Sequence, residues 1–176
     1  MNDPMTILKK DHTEVKAMLQ QLAESEPGAA RQQLLTRVTE SLELHMAIEE
    51  DLLYPLVERE VGDDDADEAE IEHGLARDGL ATLHEMASKP GFGAAVEMLI
   101  GGITHHVREE EREILPQLKK SLGKDQWRAL GDEIAAVKAA PRRRAAPKAA
   151  KKATKKAPAK STRQRSAKQR TSTSSR

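Results

Sequence analysis

The chain of 176 residues has no cysteine. This excludes disulfides, iron–sulfur clusters and thiolate-held zinc, so any bound metal must be held through nitrogen and oxygen. Aromatic residues are nearly missing too, with Phe, Tyr and Trp occurring once each. That scarcity, the lack of β-branched runs and the dominance of Leu, Ala, Glu, Lys and Gln argue for an all-helical chain. No run of about 18 apolar residues occurs, and the opening MNDPMTILKKDHTEV lacks a basic segment followed by an apolar one. A soluble cytoplasmic protein without a membrane span is expected. Acidic residues are absent from positions 138–176, which carry 15 Lys and Arg; residues up to 137 carry 14 Lys and Arg against all 29 Asp and Glu, a balance of −15. The chain therefore divides into an acidic body, 1–137, and a basic tail, 138–176.

Asp3 before Pro4 reads as an N-cap with proline at the first helical position. From there Leu8, His12, Val15, Leu19 and Leu22 recur at helical spacing until the turn around Pro27. A second helix from about Ala30 to about Glu60 carries Val38, Leu42, His45, Glu49, Leu52 and Leu56 on its buried face. The acidic VGDDDADE opens a third helix with the stripe Ala66, Ala69, His73, Ala76, Leu80 and Leu83, which ends at SKPGFG. A fourth turns Leu99, Ile103, His106, Glu110, Ile114 and Leu118 inward. A short fifth places Trp127, Leu130, Ile134 and Val137 on one side. Four long helices with short links predict an antiparallel up-down four-helix bundle, with the short fifth helix and the basic tail appended.

Each of the four stripes has one histidine near its middle. Counted from the turns near Pro27 and Pro90, His12 lies level with His45 and His73 level with His106, so the four rings can meet. Two stretches repeat the same chemistry: HMAIEEDLLYP at 45–55 and HVREEEREILP at 106–116. In both, a glutamate follows the histidine by four and a second carboxylate stands beside it. Residues four apart share one helix face, so each pair can reach the same ion or neighbouring ions. An inward carboxylate without a partner costs several kcal/mol, so a partner is required. Two glutamates shared between two metals, with imidazoles completing the sites, suit a pair of irons, with zinc or manganese as alternatives.

In these residues the chain resembles the hemerythrin-like proteins, the HHE cation-binding domains, over roughly residues 3 to 137. The resemblance implies a four-helix bundle around a non-haem di-iron centre, with His12, His45, Glu49, His73, His106 and Glu110 as metal ligands. One position departs from the pattern. Oxygen-carrying members have a second histidine four after the first on helix three, where this chain has Arg77. Glu72, His105 or water is the expected replacement, and the resulting open or oxygen-rich position suits redox chemistry or sensing better than oxygen storage. Helix four leaves a second register open, His105 with Glu110, because the oxygen carriers space that pair by five.

The remaining polar residues have plainer readings. His84 is expected at the surface, Tyr54 as a packing group near the bundle end, and Glu50, Asp51, Glu109, Glu111 and Glu113 mostly as a solvated face, with an iron entry path as the alternative. The tail, Lys138–Arg176, has no large apolar residue and is expected to be disordered. Its composition is similar to linker-histone tails, and its charge suits non-specific contact with DNA or RNA by counterion release, or with the chain's own acidic body. The resulting expectation is a cytoplasmic, nucleoid-associated iron protein that senses or reacts with oxygen, peroxide or nitric oxide. A catalase- or peroxidase-like enzyme protecting DNA and an architectural DNA-binding protein are the alternatives. Catalytic residues and oligomeric state are not specified by the sequence.

Overall fold

The computed structural model describes residues 2–140, and the reading of the tail as disordered lies outside them from residue 141 onward. The described residues are helical and contain no strand. The elements are α1 (Pro4–Ala23), α2 (Ala29–Ile48), a π-helical turn (Glu49–Leu53), α3 (Tyr54–Glu60), α4 (Asp63–Met86), α5 (Phe92–Glu109), a second π-helical turn (Glu110–Ile114) and α6 (Leu115–Ala139). α2 with α3, and α5 with the start of α6, act as single long helices interrupted by the π turns. With α1 and α4 they form the four-helix bundle, in which α1 packs on α2 and α5, and α4 packs on α5 and α2.

Asp3 caps α1 as expected, accepting from the Thr6 amide at 3.0 Å, and Pro4 occupies the first turn. The stripes of α1 and α4 are buried as read, apart from the half-buried Ala76. In the second helix the stripe holds through Glu49 and then shifts by one residue. Leu53 and Val57 are fully buried, whereas the expected Leu52 and Leu56 are only half-buried. The π turn is the cause, because its i→i+5 bonding takes up one extra residue; the Tyr54 amide donates to the Glu49 carbonyl and the Leu115 amide to the Glu110 carbonyl. After one intervening residue, each turn is followed by a proline, Pro55 and Pro116. A proline inside a helix loses its i→i−4 bond and presses its ring on the carbonyl four residues back, at about 3 kcal/mol, and a widened turn relieves that clash.

The fifth helical segment forms as the part of α6 beyond Gly123, whose backbone at φ 72° breaks the helix in the left-handed region where glycine is favoured. Trp127, Leu130 and Ile134 are buried, but Val137 is 42% exposed. Residues 2 and 3 strap this segment down. Asp3 accepts from Trp127 Nε1 at 3.0 Å and from Lys119 at 3.2 Å, and Asn2 donates to Asp132 at 2.9 Å. The strap crosses at Gly131, where a Cβ would stand 1.8 Å from the Asn2 carbonyl oxygen, so only glycine fits there.

The apolar interior falls into two clusters. One contains Leu8, Ile48, Leu53, Tyr54, Ile114 and Leu115; the other contains Val15, Leu19, Leu42, Met46, Leu80 and Val96. Between them, on all four helices, lies a layer of buried polar side chains.

Burial opposes ionisation of Asp3, but its hydrogen bonds from Trp127, the Thr6 amide and Lys119 outweigh that and hold the carboxyl at about 2. A carboxyl lowered from its ordinary value near 3.8 stabilises the fold above that pH and loses its contribution as pH falls toward 2. Asp3→Asn keeps a capping side chain but cannot titrate. Its melting temperature should therefore fall less steeply than that of the unmodified chain between about pH 4 and pH 2, and parallel acid limbs would show that the strap carries no titrating charge.

Candidate metal centre

The polar layer contains His12 from α1, His45 and Glu49 from the second helix, His73 from α4, and His106 and Glu110 from the fourth. All six lie at most 7% exposed, and both glutamates are at 0%. The sequence brings them together because each histidine stands one helical repeat from a buried leucine, isoleucine, valine or alanine, so the four stripes place the rings at one height.

The ring nitrogens converge. His12 Nε2 lies 3.1 Å from His45 Nε2, and His73 Nε2 lies 3.3 Å from His106 Nε2. Glu49 sits between the two pairs, with Oε1 3.0 Å from His45 Nε2 and Oε2 3.3 Å from His73 Nε2. Glu110 Oε2 lies 3.2 Å from His12 Nε2. Two groups of ligand atoms result, each within 4.8 Å: His12, His45, Glu49 and Glu110, and Glu49, His73 and His106. Glu49 belongs to both.

Three of the four imidazoles are oriented from behind by a carboxylate. His12 Nδ1 meets Glu111 Oε1 at 2.8 Å, His73 Nδ1 meets Glu50 Oε1 at 3.0 Å, and His106 Nδ1 meets Glu72 Oε2 at 2.9 Å. An ionised carboxylate can only accept, so each Nδ1 donates and the Nε2 lone pair is left facing the centre. His45 is the exception, its Nδ1 being 3.9 Å from Asp11 Oδ2, too long for a hydrogen bond. Asp11 instead receives the ammonium of Lys138. Glu50 is itself gripped by Arg77 through two bonds, at 2.8 and 3.1 Å.

These contacts correct several expectations. Glu50 and Glu111 are not a solvated face, because each fixes a histidine on a neighbouring helix. Arg77 points at Glu50 and Glu43, away from the centre. Glu72 lies behind His106, and His105 is half exposed against Glu72 and Glu109, so the His105 register does not form. Tyr54 is no end-of-bundle packing group. Its hydroxyl is 3.0 Å from His73 Nε2, brought there by the π turn that stacks position 54 near position 49. The consecutive carboxylates and the prolines Pro55 and Pro116 were the available signals. His84 is exposed as expected, bonded to Thr39 at 2.9 Å.

Charge decides what the layer can hold. Both oxygens of Glu49 and both of Glu110 are buried without any hydrogen-bond donor. Burial pushes the Glu110 carboxyl up, and the Glu49 charge pushes it further in the same direction. Burial would raise Glu49 as well, but the facing histidines hold it well below its usual range. Burial would also lower His12, yet Glu110 and Glu49 lift it to about 10, and Glu49 and Glu50 lift His73 to about 9. Without a metal, protons supply the positive charge these carboxylates demand. Four buried carboxylate oxygens facing imidazole nitrogens are the donor set of a nitrogen and oxygen metal site once those protons leave, so the residues fit a pair of cations.

If the Nδ1 carboxylates hold the imidazoles for a metal, removing one should weaken metal binding with little loss of fold. Glu111→Ala and Glu72→Ala should each lower metal affinity by about 10- to 100-fold in a competitive chelator titration. Unchanged affinity would show that these carboxylates are ornamental to the centre.

Comparison with known proteins agrees with this geometry. The family model for the hemerythrin HHE cation-binding domain matches residues 3–118. The crystal structure of a hemerythrin HHE cation-binding domain-containing protein, the Rv2633c homolog of Mycobacterium kansasii, is similar at a TM-score of 0.68 and 26% identity, covering 77% of this chain and 85% of that one. A curated Nostoc sp. protein named DNA nickase is 26% identical over 133 residues, 75% of this chain, which spans only 38% of that relative. With the family model matching from the α1 cap through the second histidine–glutamate pair, the chain belongs to the hemerythrin HHE cation-binding domain family.

Proposed function

We propose that His12, His45, Glu49, His73, His106 and Glu110 bind two irons and that the centre senses or reacts with oxygen, peroxide or nitric oxide. The observation that carries this reading is the donorless burial of Glu49 and Glu110 between two pairs of converging imidazole nitrogens. An iron pair bound there supplies one-electron chemistry and coordination positions for a small ligand. The chain's own residues do the rest. Glu49 offers one oxygen to each histidine pair, Glu50, Glu72 and Glu111 keep the rings aimed, and Arg77 balances the charge of Glu50. Tyr54 holds a proton at its buried hydroxyl, since burial and the surrounding carboxylates push that phenol far above its ordinary range.

Full-length protein supplied with iron should contain close to two irons per chain and absorb visible light, and His106→Ala should lose both. Iron loading should also raise the melting temperature, the gain in stability being about 2.7 kcal/mol at a free metal concentration 100-fold above Kd. Metal-free protein recovered from both chains, with equal melting curves, would sink the assignment.

A peroxide-consuming enzyme is the second reading, favoured by the Tyr54 hydroxyl beside His73. It requires steady oxygen evolution from hydrogen peroxide by the iron-loaded chain and its loss in His45→Ala. A single stoichiometric burst instead supports a sensor.

The tail is proposed to tether the protein to nucleic acid without reading sequence, on the strength of 15 positive charges over residues 138–176. Lys138 belongs to α6 and pairs with Asp11, so the truncation that tests the tail should begin after Ala140. Removing 141–176 should abolish salt-sensitive binding to duplex DNA of arbitrary sequence while leaving iron content intact. Retained DNA binding would place the interaction in the bundle.

A further inference from the structure

The bundle is not filled evenly. An apolar cavity of about 450 Å³ reaches the histidine layer and runs along the seam between α4 and α5. Its walls extend from Glu72 to Thr82 on α4 and from Ala95 to Val107 on α5, about 15 to 18 Å at 1.5 Å per residue. Voids larger than a water molecule are few in packed interiors. Small residues, Ala76, Ala95 and Gly102, stand along the seam where larger ones would narrow it. A Cβ added to Gly102 would meet nothing within 4 Å.

Polarity within the cavity is segregated. The four inward histidines, Glu72 and His105 gather at one end, and the remaining walls are aliphatic apart from Thr82 at the other. Two wall residues, Leu75 and Met98, are 66% and 81% exposed, and Ile71, one turn before Leu75, is 66% exposed. Of the four large apolar residues exposed among the described residues, three therefore sit on α4 and α5 at or beside this cavity. Single exposed apolar side chains need no explanation, but a group of them at a cavity gives an apolar ligand a place to enter. Oxygen, hydrogen peroxide and nitric oxide need neither this length nor this lining.

We propose that the cavity binds a single-chain amphiphile of the fatty-acid class, with the hydrocarbon chain along the α4–α5 seam and the carboxylate at the histidine layer. The placement of the carboxylate rests on the metal reading above; the placement of the chain rests on the cavity alone. The two ends act separately. The chain gains by leaving water, at about 0.8 kcal/mol per CH₂. The oxygen head gains from the cations that Glu49 and Glu110 call for.

The test is calorimetric titration of the full-length protein, iron-loaded and metal-free, with dodecanoate and with butyrate. Iron content and visible spectra are recorded on the same samples. Dodecanoate should bind saturably at one per chain and at least about 100-fold more tightly than butyrate. It should bind more tightly to the iron-loaded form and perturb its spectrum. Gly102→Leu fills the seam and should weaken dodecanoate binding at least about tenfold with iron content unchanged. Gly101→Leu is the control: it lies one position away, outside the cavity wall, with equal free space at its Cβ, and should bind as the unmodified chain does.

Absence of saturable dodecanoate binding, or equal binding by Gly102→Leu and the unmodified chain, overturns the proposal. Full iron content with no chain binding defeats it while leaving the metal reading intact. Saturable binding by a protein that takes up no iron supports the chain site and defeats the metal reading, together with the head placement. Equal affinity with and without loaded iron overturns the head placement alone.

Discussion

Two glutamates without hydrogen-bond donors, set in the middle of an apolar bundle, are the constraint on which the other features depend. Either carboxylate alone would cost several kcal/mol to bury, and the two repel each other as well. The fold tolerates them because each of the four helices supplies one imidazole at that height and nowhere else in its stripe. Those imidazoles would wander without support, and for His12, His73 and His106 the support is a carboxylate on a neighbouring helix. The fixed ring directions aim the inward nitrogens at one another, at the two glutamates and, for His73, at the Tyr54 hydroxyl, an arrangement that suits a cation.

The layer was legible in the sequence because helical periodicity reports which residues face inward, and each stripe displays its histidine without reference to any other helix. What periodicity could not report is the partner. Glu50 and Glu111 each follow a buried glutamate of the layer by one residue, and on an isolated helix such a position looks solvated. Their role depends on His73 and His12, which arrive from other helices. The shift from Leu52 and Leu56 to Leu53 and Val57 was hidden for another reason. A helix of uniform pitch carries no sign that one turn is widened, and only Pro55, placed where a regular helix would clash with it, hinted that the pitch changes after Glu49.

Sequence symmetry also overstated structural symmetry. The two histidine–glutamate repeats are alike through their prolines, and both form π turns, yet position 54 is tyrosine where position 115 is leucine. A hydroxyl is delivered to His73 on one side, and an aliphatic side chain packs into the core on the other. Arg77 deepens the difference. It occupies a place where oxygen carriers have a second imidazole, and it reaches outward to Glu50 instead of inward to the centre. The charge that holds Glu50 in place is therefore built from the departure itself, so the substitution removes a potential ligand and strengthens the support of another.

The layer consequently meets different surroundings on its two sides. Toward the π turns, Leu8, Ile48, Leu53 and Leu115 pack against it, and the Tyr54 hydroxyl reaches His73 through that packing. Toward the α4–α5 turn, small residues leave the seam open as far as the histidines. A reagent that reaches the centre by that seam meets aliphatic walls before it meets any charge, which favours uncharged molecules and hydrocarbon chains over hydrated ions. Beside His106 lies a second, smaller cavity of about 90 Å³, lined by Asp65, Glu68, Glu72, Glu109 and Glu113. A field of that sign draws cations and repels anions. Apolar reagents and cations thus meet different walls around the same histidines, a separation that follows from glycine and alanine along one seam and carboxylates along another.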